Sequence, residues 1–167
     1  MPILDAGTVE FISRNPEQTR RIGARLGALL TGGEIIALEG DLGAGKTVLA
    51  QGIGMGWGAT TRLISPTFVI VRRHDCPQGG VYLYHIDLYR LESELEIEGL
   101  GLYDMLGEDW AICMIEWPER ATFLFEDAYL WISLHWLDDH RRSLICRAEG
   151  ARHEALLEQF RKEVIGR

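Results

Sequence analysis

The segment Gly40-Asp41-Leu42-Gly43-Ala44-Gly45-Lys46-Thr47 satisfies the pattern G-x-x-x-x-G-K-[ST] at every fixed position. Each residue type has a chemical reason. Glycines let a backbone wrap closely around phosphate oxygens, with successive N–H groups pointing inward. A helix that starts directly after the loop turns its positive end on the same phosphates. Lys46 would neutralise β/γ charge, and the Thr47 hydroxyl would ligate Mg²⁺. Hydrolysis needs a further acid at the end of a neighbouring buried strand, to hold Mg²⁺ or its water. Glu116, closing the apolar run AICMI, and Asp87, closing VYLYHI, both qualify. The two could converge on the metal, one directly and one through water or as a base.

The base can be narrowed from the same string. GTPases of this type carry an Asn-Lys-x-Asp element, and the sole asparagine here, Asn15, lies far upstream and precedes proline. ATP is therefore the expected nucleotide. Gly52-Ile53-Gly54-Met55-Gly56 resembles a dinucleotide fingerprint only loosely, and it falls at the end of a helix instead of at a strand-to-helix turn.

The elements that must position these groups follow from periodicity. Asn15-Pro16-Glu17 is a helix start, and Ile22, Leu26, Leu29 and Leu30 recur at helical spacing until Gly32-Gly33. Residues 34–40, EIIALEG, read as a buried strand running into the loop, and TVLAQGIGMGWG as a helix that decays through its glycines. FVIVRRHD and VYLYHID flank Cys76-Pro77-Gln78-Gly79-Gly80 as a hairpin, with a helix expected in LESELEIEGL and a buried strand in AICMIEW. YLWISLHWL and RSLICRAEG form a second hairpin, and Leu156, Leu157 and Phe160 mark a last helix. Alternating strands and helices predict an α/β fold: a mixed, mostly parallel central sheet flanked by helices, with antiparallel hairpin strands.

With 167 residues the chain is read as one domain, large enough to bury about two-thirds of its unfolded surface. The net charge of -8 argues against a primary nucleic-acid binder, since phosphate contacts need a basic footprint. The N-terminus lacks a basic n-region, no apolar run approaches the ~20 residues of a membrane span, and three scattered cysteines suit a reduced cytoplasmic protein.

GDLGAGKT, SPTF (Ser65 to Phe68), YHIDLYRL (Tyr84 to Leu91) and IEWPER (Ile115 to Arg120) occur in that order. Together they resemble the bacterial TsaE (formerly YjeE) family of tRNA threonylcarbamoyladenosine biosynthesis ATPases, over nearly the whole chain. The resemblance implies a compact P-loop fold that binds ATP with Mg²⁺ and hydrolyses it slowly. It also implies work with the TsaB and TsaD proteins in making N6-threonylcarbamoyladenosine at position 37 of tRNAs that read ANN codons, with tRNA met through that complex. By position, Gly40, Asp41, Leu42, Gly43, Ala44, Gly45, Lys46 and Thr47 match the ATP cradle, with Thr47 on magnesium and Val48 next to it as a further nucleotide-binding position. Many members carry a second threonine where Val48 stands. Glu116 matches the second magnesium-side acid, Asp87 the acid needed for hydrolysis, and Lys46 the catalytic lysine. Thr67, in Ser65-Pro66-Thr67, matches a switch-like segment near the γ-phosphate, and Thr19 a threonine often kept near the nucleotide. Trp117 matches the tryptophan after the acid.

Other features read more simply. His74, Cys76 and His85 lack a fourth zinc ligand. Tyr129, Trp131, Ile132, Leu134 and Trp136 read as sheet packing, and His140-Arg141-Arg142 as a solvated turn, with a place for Arg142 beside the nucleotide as the alternative. The competing functions are a P-loop small-molecule kinase and a nucleotide-gated binding module with little turnover.

Overall fold

The computed structural model describes residues 3–5, 7–64 and 70–166, the first three as backbone. The elements are β1 (Ile3–Asp5), β2 (Thr8–Ser13), α1 (Pro16–Gly27), β3 (Ile35–Glu39), α2 (Lys46–Trp57), β4 (Val71–His74), β5 (Tyr82–Asp87), α3 (Glu94–Glu98), β6 (Ala111–Glu116), β7 (Tyr129–Trp136), β8 (Arg142–Glu149) and α4 (Ala151–Ile165). All the strands join one sheet in the order β1-β2-β8-β7-β3-β6-β5-β4. The central run β7-β3-β6-β5 is parallel, and every other pairing is antiparallel. β3 and β6 are apolar along almost their whole length because both faces of the parallel centre are covered.

Alternation along the strands divides the core. Ile36, Leu38, Leu83, Ile112, Met114, Leu130 and Ile132 face the layer of α1, α2 and α4. Ala37, Ile86, Ile115 and Trp131 face α3 and two 3-10 segments, Leu102–Asp104 and Pro118–Leu124. No helix among the described residues is long and apolar enough to cross a membrane.

The expected helix starts and hairpins are present, with two differences. Asn15 caps α1 by accepting from the Gln18 N–H at 2.8 Å, but α1 ends at Gly27. Leu29 and Leu30 instead lie in a tightened turn, their N–H groups bonded to the Leu26 and Gly27 carbonyls. The second difference is α2, which does not decay through its glycines but stays helical to Trp57. Those glycines are its packing face. A Cβ at Gly52 or Gly56 would run into the Arg20 or Ala24 carbonyl of α1, and one at Gly27 into the Ile53 carbonyl of α2.

The start of β3 is held from two sides. Buried Glu34 accepts from the Thr31 and Gly32 N–H groups at 3.0 and 2.8 Å. The Ile35 N–H donates to Nε2 of buried His153, on α4, at 3.0 Å. Burial holds the His153 pKa below its usual 6.5, with Arg152 adding to the effect and Glu34 opposing it. A neutral ring is thus favoured in the folded state, and protonation destroys the acceptor. Folding stability from this group is present above the unfolded pKa and is lost as pH falls below about 6.5. His74, also lowered by burial, acts in the same direction. His153→Gln keeps an acceptor that does not titrate. The variant should show a shallower fall in Tm from pH 7.5 to 5.5 than wild type, and equal slopes would refute this account.

Candidate functional site

β3 delivers the chain at Glu39 to the glycine loop, and α2 begins at Lys46. Gly43 and Gly45 have φ of 82° and 104°, a left-handed conformation costly to any residue with a Cβ. Gly45 is the N-cap and has no side-chain cap, so the first N–H groups of α2 are left for whatever fills the loop. Gly40 has a different reason: a Cβ there would sit 2.9 Å from the Leu134 carbonyl of β7.

Lys46, one of two lysines in the chain, is buried. Its amine donates back to the Gly40 carbonyl and, at 3.4 Å, to the Asp41 carbonyl. The same amine lies 4.1 Å from the centroid of the Trp117 ring. Burial lowers its pKa, while Glu116, Glu119, Asp87 and Asp41 oppose that shift. A cation whose hydrogen bonds among the described residues go only to carbonyls of its own loop is ready to exchange them for an anion.

The two acids come from neighbouring parallel strands, with Asp87 of β5 paired in register with Glu116 of β6. Glu116 is buried and contacts His85 Nε2 at 2.5 Å. Asp87 accepts from the Tyr89 N–H at 2.9 Å. Burial pushes the Asp87 carboxyl above its usual pKa; that bond opposes the shift, and the charge of Glu116 adds to it. Lys46, Thr47, Val48, Asp87 and Glu116 line one cavity of about 380 Å³, whose wall includes Asp41 to Gly43, Gly45 and Trp117. A hydroxyl and two carboxylates are oxygen donors that suit Mg²⁺, so the residues present fit such an ion. Trp117 takes a left-handed backbone (φ 59°), alone among the described non-glycine residues, which turns its ring over Lys46 and against Tyr89 (centroids 4.8 Å apart).

On the loop's other flank, Gly40 to Ala44 border a second cavity of about 560 Å³ with Glu39, Glu119 and Trp136. Of the aromatic residues read as sheet packing, Trp131 is buried and donates to Glu39 at 3.1 Å. Trp136, 59% exposed, lines this cavity instead: it is the last residue of β7, past Ser133, where the pairing with β3 ends, although it still pairs with Arg142 of β8. Arg142 also departs from the solvated-turn reading. Its guanidinium donates to the Ala44, Gly43 and Asp138 carbonyls at 3.1, 3.3 and 2.7 Å, clasping the loop from the β7–β8 hairpin. The neighbouring turn is held by Asp138, which accepts from the His140 and Arg141 N–H groups. Those bonds hold the exposed Asp138 carboxyl well below the usual carboxylate range.

Gly40 to Val48, Asp87 and Glu116 thus come together as the sequence suggests. Thr19 does not join them: its buried hydroxyl is 2.6 Å from that of Ser13, tying β2 to α1, and it lines neither cavity. Thr67 lies outside the described residues. His85 went unmarked as a site residue, although its place two positions before Asp87 puts both on one strand face.

A parallel sheet whose central strand feeds a glycine loop and helix is the architecture of P-loop NTPase-like α/β proteins. Residues 13–144 match the family model described as threonylcarbamoyl adenosine biosynthesis protein TsaE, and the chain belongs to that family. It is 36% identical over 146 residues to the tRNA threonylcarbamoyladenosine biosynthesis protein TsaE of Bacillus subtilis, covering 87% of this chain and 89% of that one. With the TsaE protein of Synechocystis it shares 44% identity over 124 residues, 72% of this chain and 77% of that one. Among solved structures, Bacillus subtilis YdiB superposes with a TM-score of 0.77 at 29% identity, over 93% of this chain and 95% of that one.

Proposed function

We propose that this chain is a Mg²⁺-dependent ATPase required for N6-threonylcarbamoyladenosine formation at position 37 of tRNAs reading ANN codons. It acts in the cytoplasm with the TsaB–TsaD complex and meets tRNA through that complex. The observation that carries the reading is the meeting, in one cavity, of Lys46 and Thr47 with the carboxylates of Asp87 and Glu116. ATP is favoured over GTP because no Asn-Lys-x-Asp element is present.

In this reading the loop N–H groups and the start of α2 receive the β- and γ-phosphates, and the Lys46 amine leaves the Gly40 and Asp41 carbonyls to neutralise them. Thr47 and Glu116 would hold Mg²⁺, which supplies charge neutralisation on the phosphate oxygens. Asp87 orients the attacking water and takes its proton, a task helped by a carboxyl pKa already raised by burial. Arg142 keeps the loop in shape from outside.

The test is reconstitution with TsaB, TsaD, tRNA, bicarbonate, threonine and the adenylate-forming enzyme. Sustained modified tRNA only when this chain is present is the expected result. With the isolated chain, radiolabel from γ-labelled ATP should appear as free phosphate; label on an added metabolite or nucleoside would make the protein a kinase instead.

A further inference from the structure

Glu116 is almost fully buried at the end of β6, and the one hydrogen bond of its side chain among the described residues is to His85. Both side chains are removed from solvent, at 0% and 3% exposure. The ring's other nitrogen, Nδ1, is buried with no hydrogen-bond partner among the described residues. A histidine kept for packing would be better replaced by hydrocarbon, and one kept to satisfy its surroundings would use both nitrogens. Here its single bond goes to an acid of the site.

Strand geometry explains the arrangement. His85 and Asp87 share a face of β5, as do Met114 and Glu116 on β6, with His85 opposite Met114 and Asp87 opposite Glu116. His85 therefore stands one pair back from the two acids. It does not line the cavity, so it can act there only through Glu116.

We propose that His85 is a positioning residue: its Nε2–H donates to one Glu116 oxygen and fixes the carboxylate so that the other oxygen serves the cavity. The proposal rests on reading Glu116 as the magnesium-side acid. Lys46 is the competing partner: it lines the same cavity as Glu116, and of the acids that act on its amine Glu116 acts most strongly. Without His85 the carboxylate is free to turn to that amine, which withdraws both groups from a bound metal–nucleotide. Partners that orient a ligand from behind commonly set metal affinity by 10- to 100-fold.

The full chain, His85→Leu and His85→Gln decide it. Leucine keeps the apolar bulk, while glutamine places an amide N–H near the former Nε2. Fluorescent ATP binding in EDTA should stay within about threefold of wild type in both, since the loop is untouched. Mn²⁺ affinity of the protein–ADP complex, read by electron paramagnetic resonance, should fall about tenfold or more in His85→Leu and recover in His85→Gln. Wild-type Mn²⁺ affinity in His85→Leu, or equal loss in both variants, overturns the proposal. If His85→Leu does not fold, His85→Met takes its place as the apolar variant: a tenfold loss of Mn²⁺ affinity that His85→Gln restores supports the role, and wild-type affinity in His85→Met overturns it. Should wild type bind no Mn²⁺ beyond that held by free ADP, the cation-dependent site itself falls, and the proposal with it.

Discussion

Asp87→Asn is expected to leave ATP affinity within about threefold of wild type, lower ATP turnover by roughly 100- to 1,000-fold and abolish tRNA modification in the reconstituted system. Asparagine keeps the size of the side chain, and its Oδ1 can still accept from the Tyr89 N–H. The backbone after β5 therefore keeps its course. What is removed is a negative charge and a proton acceptor in the cavity that also contains Lys46 and Thr47. In the proposed function binding depends chiefly on the loop N–H groups and Lys46, and an anion next to them opposes ATP; losing it would not weaken binding by that route. Turnover, however, loses the group that would take a proton from water. Glu116→Ala is a less clean probe, since it also strands the buried His85 without its only described partner. Equilibrium binding and hydrolysis assays separate the two effects. Full modification of tRNA by Asp87→Asn would point to a passive, nucleotide-gated module.

How far the site could be read from sequence depended on whether its parts are local. The glycine loop is contiguous, and each of its special backbone angles is written as a glycine. Asp87 and Glu116 could be located because a buried parallel strand reads as an apolar run, with the acid at its end. Their register could not be read, since it depends on strand pairing between residues far apart. Arg142 could be read only as the lesser alternative for the same reason: its partners Gly43 and Ala44 lie about a hundred residues away, and nothing around His140-Arg141-Arg142 announces them. Trp136 was misassigned because alternation tells which face a residue takes, not where the covering layer stops. β2 was visible in principle, as Val9 and Phe11 alternate with Glu10 and Ile12, but a short edge-side strand has no local signal of its partner β8.

The glycines of α2 are the fold feature for which local propensity gives the wrong sign, and Gly56→Ala tests this directly. In an exposed helix the change should stabilise by about 0.8–1.0 kcal/mol. At Gly56 the new Cβ would land on the Ala24 carbonyl of α1, a backbone atom that cannot rotate away. Relief requires the two helices to separate, and both bury apolar side chains in one cluster, including Leu26, Leu49 and Ile53. Overpacking of that kind costs about 1–3 kcal/mol, occasionally more, and here backbone meets backbone, so the clash should win. A net loss of about 2 kcal/mol corresponds to a Tm lower by roughly 4–8 °C for a chain of this size. Met55→Ala, at a neighbouring position 62% exposed, is the matched control and should change stability by less than about 0.5 kcal/mol. A Tm raised by Gly56→Ala would mean that the glycines are tolerated, not required. Gly56 lies at the far end of α2 from Lys46, so ATP affinity measured well below the melting range should stay at the wild-type value. The pair of measurements then assigns these glycines to helix packing and leaves phosphate recognition to the loop at the helix's other end.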